Sequence, residues 1–374
     1  RQSEEHRVLT EEWDRSAAGW EFDSRGDLVL VAEEDGRQHL FRMPLGGGTP
    51  VLLAEGGTLD SPLPDPDGAV FVLHQSLSAP PEVARLGGDG GLEAVTDFNG
   101  GLLSELGLGD VEDVRFPGWE GVEIQMFVVY PPGFDPARRW PLVHMIHGGP
   151  HGTFGDAFHF RWNAHAFASP GYVVALVNFH GSTSFGQAFA ASIHGEWGDK
   201  PTADMLAATD HLVEQGLIDQ ERMAITGGSY GGYLTAWLTT QTDRFACAVA
   251  HAAVTDLPGM YASDITFGRA RSYGAEIWED RELVERWSPS AHAAGYSTPT
   301  LVIHGERDYR VPLTQGLELY GVLKAKGVEA RLVYYPDENH WVLSPQNSLH
   351  WYGEVLGWLG RHLAGRVSYA LGGA

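Results

Sequence analysis

Ser229 stands in Gly227-Gly228-Ser229-Tyr230-Gly231-Gly232, between the apolar run Met223-Ala224-Ile225-Thr226 and the helix-like Tyr233-Leu234-Thr235-Ala236-Trp237-Leu238. G-x-S-x-G between a strand and a helix marks a sharp turn that lifts a serine hydroxyl above a sheet edge. Glycines at 227 and 231 keep side chains out of the space where the turn folds back, and the helix start aims N–H groups at a developing negative charge. A serine hydroxyl is a weak nucleophile by itself, so it needs a base and an acid that orients the base. Asp308 follows the strand-like Thr300-Leu301-Val302-Ile303-His304-Gly305, and His340 follows the strand-like Ala330-Arg331-Leu332-Val333-Tyr334-Tyr335. In this arrangement Ser229 attacks, His340 takes its proton and returns it to the leaving group, and Asp308 holds the imidazole in the required tautomer.

The elements that must position these residues alternate. Strands are expected at Val122–Tyr130, Pro141–Ile146, Tyr172–Phe179, Met223–Thr226, Cys247–Ala252, Thr300–His304 and Ala330–Tyr335, with helical patterns such as Ala203–Val213 between most of them. Alternation of this kind gives a mainly parallel sheet covered on both faces, with its site at the carboxyl edge of the strands. The order Ser, Asp, His is that of the α/β-hydrolases. Asp256, after the strand-like Cys247–Ala252, is a rival acid, while Glu306 and Asp337 read as solvated loop carboxylates. The backbone N–H of Tyr230 is one expected oxyanion donor. The second is expected from His147-Gly148-Gly149-Pro150, at Gly149 with Gly148 as the fallback.

His144, His147, His151, His159 and His165 raise the alternative of a metal site. The spacing of the first three converges on one side only in a helix, whereas this stretch reads as strand and glycine loop, so no metal is expected. Gly46-Gly47-Gly48 has no helix after it and reads as a hairpin turn, not a phosphate cradle.

HGGP at 147–150, Asn178-Phe179-His180-Gly181-Ser182-Thr183, GGSYGG at 227–232, Asp308 with Val311-Pro312 behind it, and His340 together resemble the prolyl oligopeptidase family of serine peptidases, most of all its acylaminoacyl-peptidase branch. The resemblance covers the chain and is strongest from Val122 to Leu363; the oxyanion-loop tyrosine of prolyl oligopeptidase proper is missing. It implies a C-terminal α/β-hydrolase domain preceded by a β-propeller, no metal or organic cofactor, and short peptides as substrates.

The first third can be set beside that expectation. Strand-like Asp27–Ala32, His39–Leu45 and Pro50–Leu53 are echoed by Asp67–His74, Pro81–Leu86 and the glycine turn Gly87–Gly91. The offset is roughly 42 residues, the length of a four-stranded propeller blade. That makes about two blades, whereas a closed propeller has about four to eight. The expected organisation is therefore a partial propeller over 1–110, a linker over 111–121 and a catalytic domain over 122–374. Two orphan blades and a start at Arg1 lead us to expect a C-terminal piece of a longer polypeptide, with the missing blades as its partner.

A formal net charge of −24 argues against nucleic acid or an anionic membrane as partner. No apolar run is long enough to span a bilayer. The single cysteine, Cys247, rules out an intrachain disulfide and points to the cytoplasm. Copies of the same chain are the remaining expected partner. For the substrate pocket, the aromatic stretch after the oxyanion loop offers Phe158 and Trp162, and the segment after Asp256 offers Arg271 and Trp278. An arginine there can read a peptide carboxylate. Arg307 and Arg310 flank Asp308 and either bind substrate or balance acid. Within the family an exopeptidase, either carboxypeptidase or dipeptidyl-peptidase, stays open. A carboxylesterase on the same fold and a non-catalytic scaffold are the further alternatives.

Overall fold

Period-two apolar patterns dominate the first third of the chain, and continuous apolar runs dominate the rest; the two patterns build two different sheets. The computed structural model describes residues 6–363; Arg1 and residues 364–374 of the expected catalytic domain lie outside them. The chain divides into two compact units. One gathers 1–108, 153–163 and 183–190; the other gathers 109–152, 164–182 and 191–374.

The first unit contains β1 (Ala17–Phe22), β2 (Leu28–Glu34), β3 (Arg37–Met43), β4 (Val51–Ala54), β5 (Thr58–Pro64), β6 (Val70–Ser76), β7 (Ala79–Leu86) and β8 (Leu92–Ala94). β1 to β4 form one antiparallel group and β5 to β8 another. A single parallel pair, Gln38 with Thr58, joins them through β3 and β5. Alternate residues of β2 go to opposite faces. Val29 and Val31 pack with Leu40, Leu59, Val70 and Val72, while Leu30 and Ala32 pack with Phe41 and Met43. Asp35 and Gly36 both have positive φ, as a two-residue hairpin between twisted strands requires. The glycine triplet at 46–48 links the antiparallel strands β3 and β4. Residues 153–163 and 183–190 belong to this unit because their polar groups are used there. Asp156 accepts the Leu77 N–H at 2.8 Å, and Ser184 Oγ accepts the Gly36 N–H at 2.8 Å.

The second unit contains β9 (Val111–Pro117), β10 (Glu123–Val129), β11 (Trp140–Ile146), β12 (Val173–Asn178), β13 (Ile218–Gly228), β14 (Cys247–His251), β15 (Thr300–Gly305) and β16 (Ala330–Tyr335). Their order is β16-β15-β14-β13-β11-β12-β10-β9, parallel from β16 to β12 and antiparallel at the β10–β9 edge. This is the mixed sheet of the α/β-hydrolase fold. Every residue of β11, β12, β14 and β15 is buried, which fits strands covered on both faces. The helix Tyr230–Gln241 packs on β13 and β14, and Leu313–Ala325 packs on β15 and β16.

Of the stretch 111–121, expected as a linker, Val111–Pro117 is part of this sheet. Val114 and Phe116 alternate into the core while the backbone pairs with β10, so β9 forms an edge strand before a short 3-10 turn at Trp119–Gly121. Among the described residues no helix is long and apolar enough to cross a membrane.

Candidate active site

β13 lies in the middle of the second sheet, and its carboxyl end delivers Ser229. Ser229 has φ 61° and ψ −121°, a conformation that side chains other than glycine rarely adopt. The surrounding backbone holds it there. The Ser229 N–H donates to the His251 carbonyl at 3.0 Å, and the Ser229 carbonyl accepts from Tyr233 N–H at 2.9 Å. The tight fit explains the glycines. A Cβ on Gly227 would lie 2.4 Å from the Gly231 carbonyl oxygen, and one on Gly231 would lie 2.1 Å from that of Ile146. Backbone opposes backbone at both positions, so no side chain can swing away. Gly231→Ala is therefore expected to destabilise the fold by about 1–3 kcal/mol, read as a lower urea midpoint; an unchanged midpoint would contradict the packing described.

Asp308 and His340 follow β15 and β16, as expected. His340 Nδ1 lies 2.7 Å from Asp308 Oδ2. Asp308 is 3% exposed, and its other oxygen accepts the N–H groups of Arg310 at 3.0 Å and Val311 at 2.8 Å. Those two bonds fix the carboxylate plane. With Asp308 ionised, His340 carries its proton on Nδ1 and leaves Nε2 as an acceptor. His304 Nε2 donates to the Val311 carbonyl at 2.8 Å and sits 3.5 Å from Asp308 Oδ2, supporting the same loop. The rival acid Asp256 is used elsewhere: its Oδ2 accepts the Gly259 N–H at 2.9 Å, and burial raises its carboxyl above the ordinary value. Glu306 and Asp337 are exposed.

Tyr230 opens the helix, where the first N–H groups have no partner within the helix. Gly148 lies directly against the serine turn: a Cβ there would meet the Gly228 carbonyl oxygen at 3.2 Å and Ser229 Cβ at 3.4 Å. Gly149 has φ 132° and borders the same cavity as Ser229 and Tyr230. His147 braces this loop. Its ring stacks on Phe179 with centroids 4.3 Å apart, Nδ1 lies 2.9 Å from the Gly148 carbonyl and Nε2 lies 2.8 Å from Ser182 Oγ. Among the described residues no group of three or more His, Cys, Asp or Glu is arranged to hold a metal. The histidines of this region serve separate partners, such as Thr209 for His144 and the Gly181 carbonyl for His151.

The cavity beside Ser229 has a volume of about 230 Å³. Its wall is mostly apolar, with Trp197, Val254, Met260, Ile265, Phe267 and Tyr273. None of the four pocket residues expected from the sequence, Phe158, Trp162, Arg271 and Trp278, is among those lining this cavity. Phe158 and Trp162 lie in the other compact unit, where the Phe158 N–H donates to Gln75 Oε1 at 3.1 Å and its ring meets Phe160. Trp278 is 73% exposed and meets Tyr261 edge-on, and Arg271 does not line the cavity. Arg269 does, but its guanidinium is taken up by Ser263 Oγ at 2.7 Å, the Ile265 carbonyl at 2.6 Å and Tyr273 Oη at 3.1 Å. No sequence pattern distinguished Arg269 from Arg271. Arg310 also borders the cavity and pairs with Asp264 through bonds of 2.8 and 3.3 Å, whereas Arg307 is exposed.

Three buried histidines make the fold sensitive to acid. Burial lowers His144 and His251 to about 3 and His147 to about 4, against an ordinary value of 6.5. The unfolded chain thus binds protons that the folded chain refuses. The stability is full above the ordinary value and is lost as pH falls toward the folded values. Each histidine accounts for up to about 1.4 kcal/mol per pH unit in that window. Urea unfolding at about pH 7.5 and about pH 5.5 is expected to give a clearly lower midpoint at the lower pH; equal midpoints would contradict this burial.

The model of the prolyl oligopeptidase family matches residues 158–366. Dipeptidyl-peptidase 5 of Schizosaccharomyces pombe is 33% identical over 363 residues, covering 94% of this chain and 52% of its own length. The solved acylaminoacyl peptidase of Pyrococcus horikoshii superposes with a TM-score of 0.86 at 25% identity, over 96% of this chain and 58% of that one. An acylaminoacyl peptidase in complex with Z-Gly-Gly-Phe-chloromethyl ketone gives 0.88 at 25% identity, over 99% of this chain and 59% of that one. The chain thus spans about half the length of the curated relatives it matches.

Proposed function

Because the chain belongs to the prolyl oligopeptidase family, we propose that it is the catalytic part of a serine peptidase acting on short peptides through Ser229, Asp308 and His340. The observation that carries this reading is the 2.7 Å pairing of a buried aspartate with His340 Nδ1, which leaves Nε2 as the acceptor. Ser229 Oγ adds to the scissile carbonyl carbon while His340 Nε2 takes its proton. The oxyanion lies on the N–H groups of Tyr230 and Gly149. The C–N bond then breaks, His340 protonates the leaving amine, and an acyl-Ser229 ester remains. Water, deprotonated by His340, adds to the ester and releases the acid with Ser229 restored. No metal or organic cofactor takes part.

The apolar cavity receives the side chain that precedes the cut. Its size and lining suit a phenylalanyl side chain, the residue carried by the chloromethyl ketone in the complexed relative. A second reading, removal of dipeptides from a free N-terminus, is favoured by the higher identity to the dipeptidyl-peptidase relatives, 33% against 25% for the solved acylaminoacyl peptidases. The first unit is read as part of a β-propeller, on the support of its two antiparallel four-strand groups. Digestion of a peptide library followed by mass spectrometry tests the function. Cuts after apolar residues in short peptides are expected, and products two residues long from the N-terminus select the dipeptidyl reading. A library left intact, alongside rapid hydrolysis of short acyl esters, would replace both with an esterase.

A further inference from the structure

His251 closes β14 and is 4% exposed. It touches both halves of the catalytic pair. Its main-chain carbonyl accepts the Ser229 N–H at 3.0 Å. Its imidazole Nε2 lies 3.1 Å from the main-chain carbonyl oxygen of His340. The other ring nitrogen, Nδ1, lies 3.2 Å from Trp351 Nε1. An indole N–H can only donate, so Nδ1 accepts and the ring proton is on Nε2. Nε2–H therefore donates to the His340 carbonyl. Burial keeps the ring uncharged at neutral pH. The next residue, Ala252, has φ 44°, and its N–H is tied to the Ile303 carbonyl at 2.8 Å. The backbone is thus held in an unfavourable conformation both at Ser229 and at Ala252, the residue after His251.

We propose that His251 is a positioning residue that sets the Ser229–His340 geometry, one main chain held by its carbonyl and the other by its imidazole. This inference rests on the catalytic reading of Ser229 and His340 given above. A histidine present only to fill space would leave its nitrogens idle or turned to arbitrary partners. Here one nitrogen is pinned by Trp351, and the other holds the loop that must present His340 Nε2 to Ser229. Proton transfer between positioned groups is steeply sensitive to small displacements.

The test is steady-state kinetics on a peptidyl p-nitroanilide, with folding checked by circular dichroism. His251→Phe keeps a planar ring and removes both hydrogen bonds. It is expected to lower kcat by about 10- to 100-fold while KM stays within about twofold. His251→Gln restores an N–H donor at the same reach and is expected to recover most of kcat. If His251→Phe does not fold, Trp351→Phe is the milder probe: it frees the tautomer and is expected to lower kcat by about threefold or more. A folded His251→Phe or Trp351→Phe at wild-type kcat, or a His251→Phe loss that folded His251→Gln leaves unrepaired, overturns the inference. Ser229→Ala measured alongside separates the two levels. If it is inactive, the catalytic reading stands whatever His251 does; if it turns over normally, the catalytic reading itself fails.

Discussion

Ser229→Ala is expected to lower kcat/KM on a peptide substrate by about 10⁴- to 10⁶-fold and to leave the thermal midpoint unchanged. The size of the effect follows from what is lost. Without the hydroxyl no acyl-enzyme forms, and His340 has no proton to take. The fold should not notice the change. Ser229 holds its place through its main chain, by bonds to His251 and Tyr233, and those bonds remain in the alanine variant. The strain at φ 61° is also the same for alanine. A folded variant retaining turnover would remove Ser229 from the chemistry.

Asp308→Asn should cost about 10³- to 10⁴-fold in kcat. The two N–H groups of Arg310 and Val311 claim one oxygen of the side chain. An asparagine keeps its carbonyl oxygen on them and turns its NH₂ toward His340 Nδ1. That nitrogen must then accept, which moves the ring proton to Nε2 and blocks its role as a base. The geometry is preserved and the tautomer is wrong. Asp256→Asn is the control, because Asp256 caps Gly259 and does not touch His340. Kinetics of the two variants check the assignment: equal losses, or a larger loss for Asp256→Asn, would transfer the acid's role to Asp256.

Much of this site was legible in the sequence because its parts sit at strand ends. The continuous apolar runs fixed the places of β11 to β16, and the residues just beyond β13, β15 and β16 were then the ones able to meet at the carboxyl edge. The glycines around Ser229 were legible for the same reason, since only close backbone crossings demand them. The edge strand β9 was not. Val114 and Phe116 alternate too briefly among charged neighbours to stand out, and only pairing with β10 makes them a strand. The lining of the cavity was not legible, because aromatic composition says nothing about which unit a loop packs into. Phe158 and Trp162 follow Thr153 into the first unit, where Asp156 is bonded to Leu77. His251 had no sequence signal either, because its two ring contacts come from residues 89 and 100 positions away.

The most direct measurement of the central claim is fluorophosphonate labelling followed by peptide mapping. A single adduct on the peptide containing Ser229 is predicted, absent from Ser229→Ala and formed much more slowly by Asp308→Asn. An adduct elsewhere, or labelling that persists undiminished in Ser229→Ala, would contradict the assignment of Ser229 as the nucleophile.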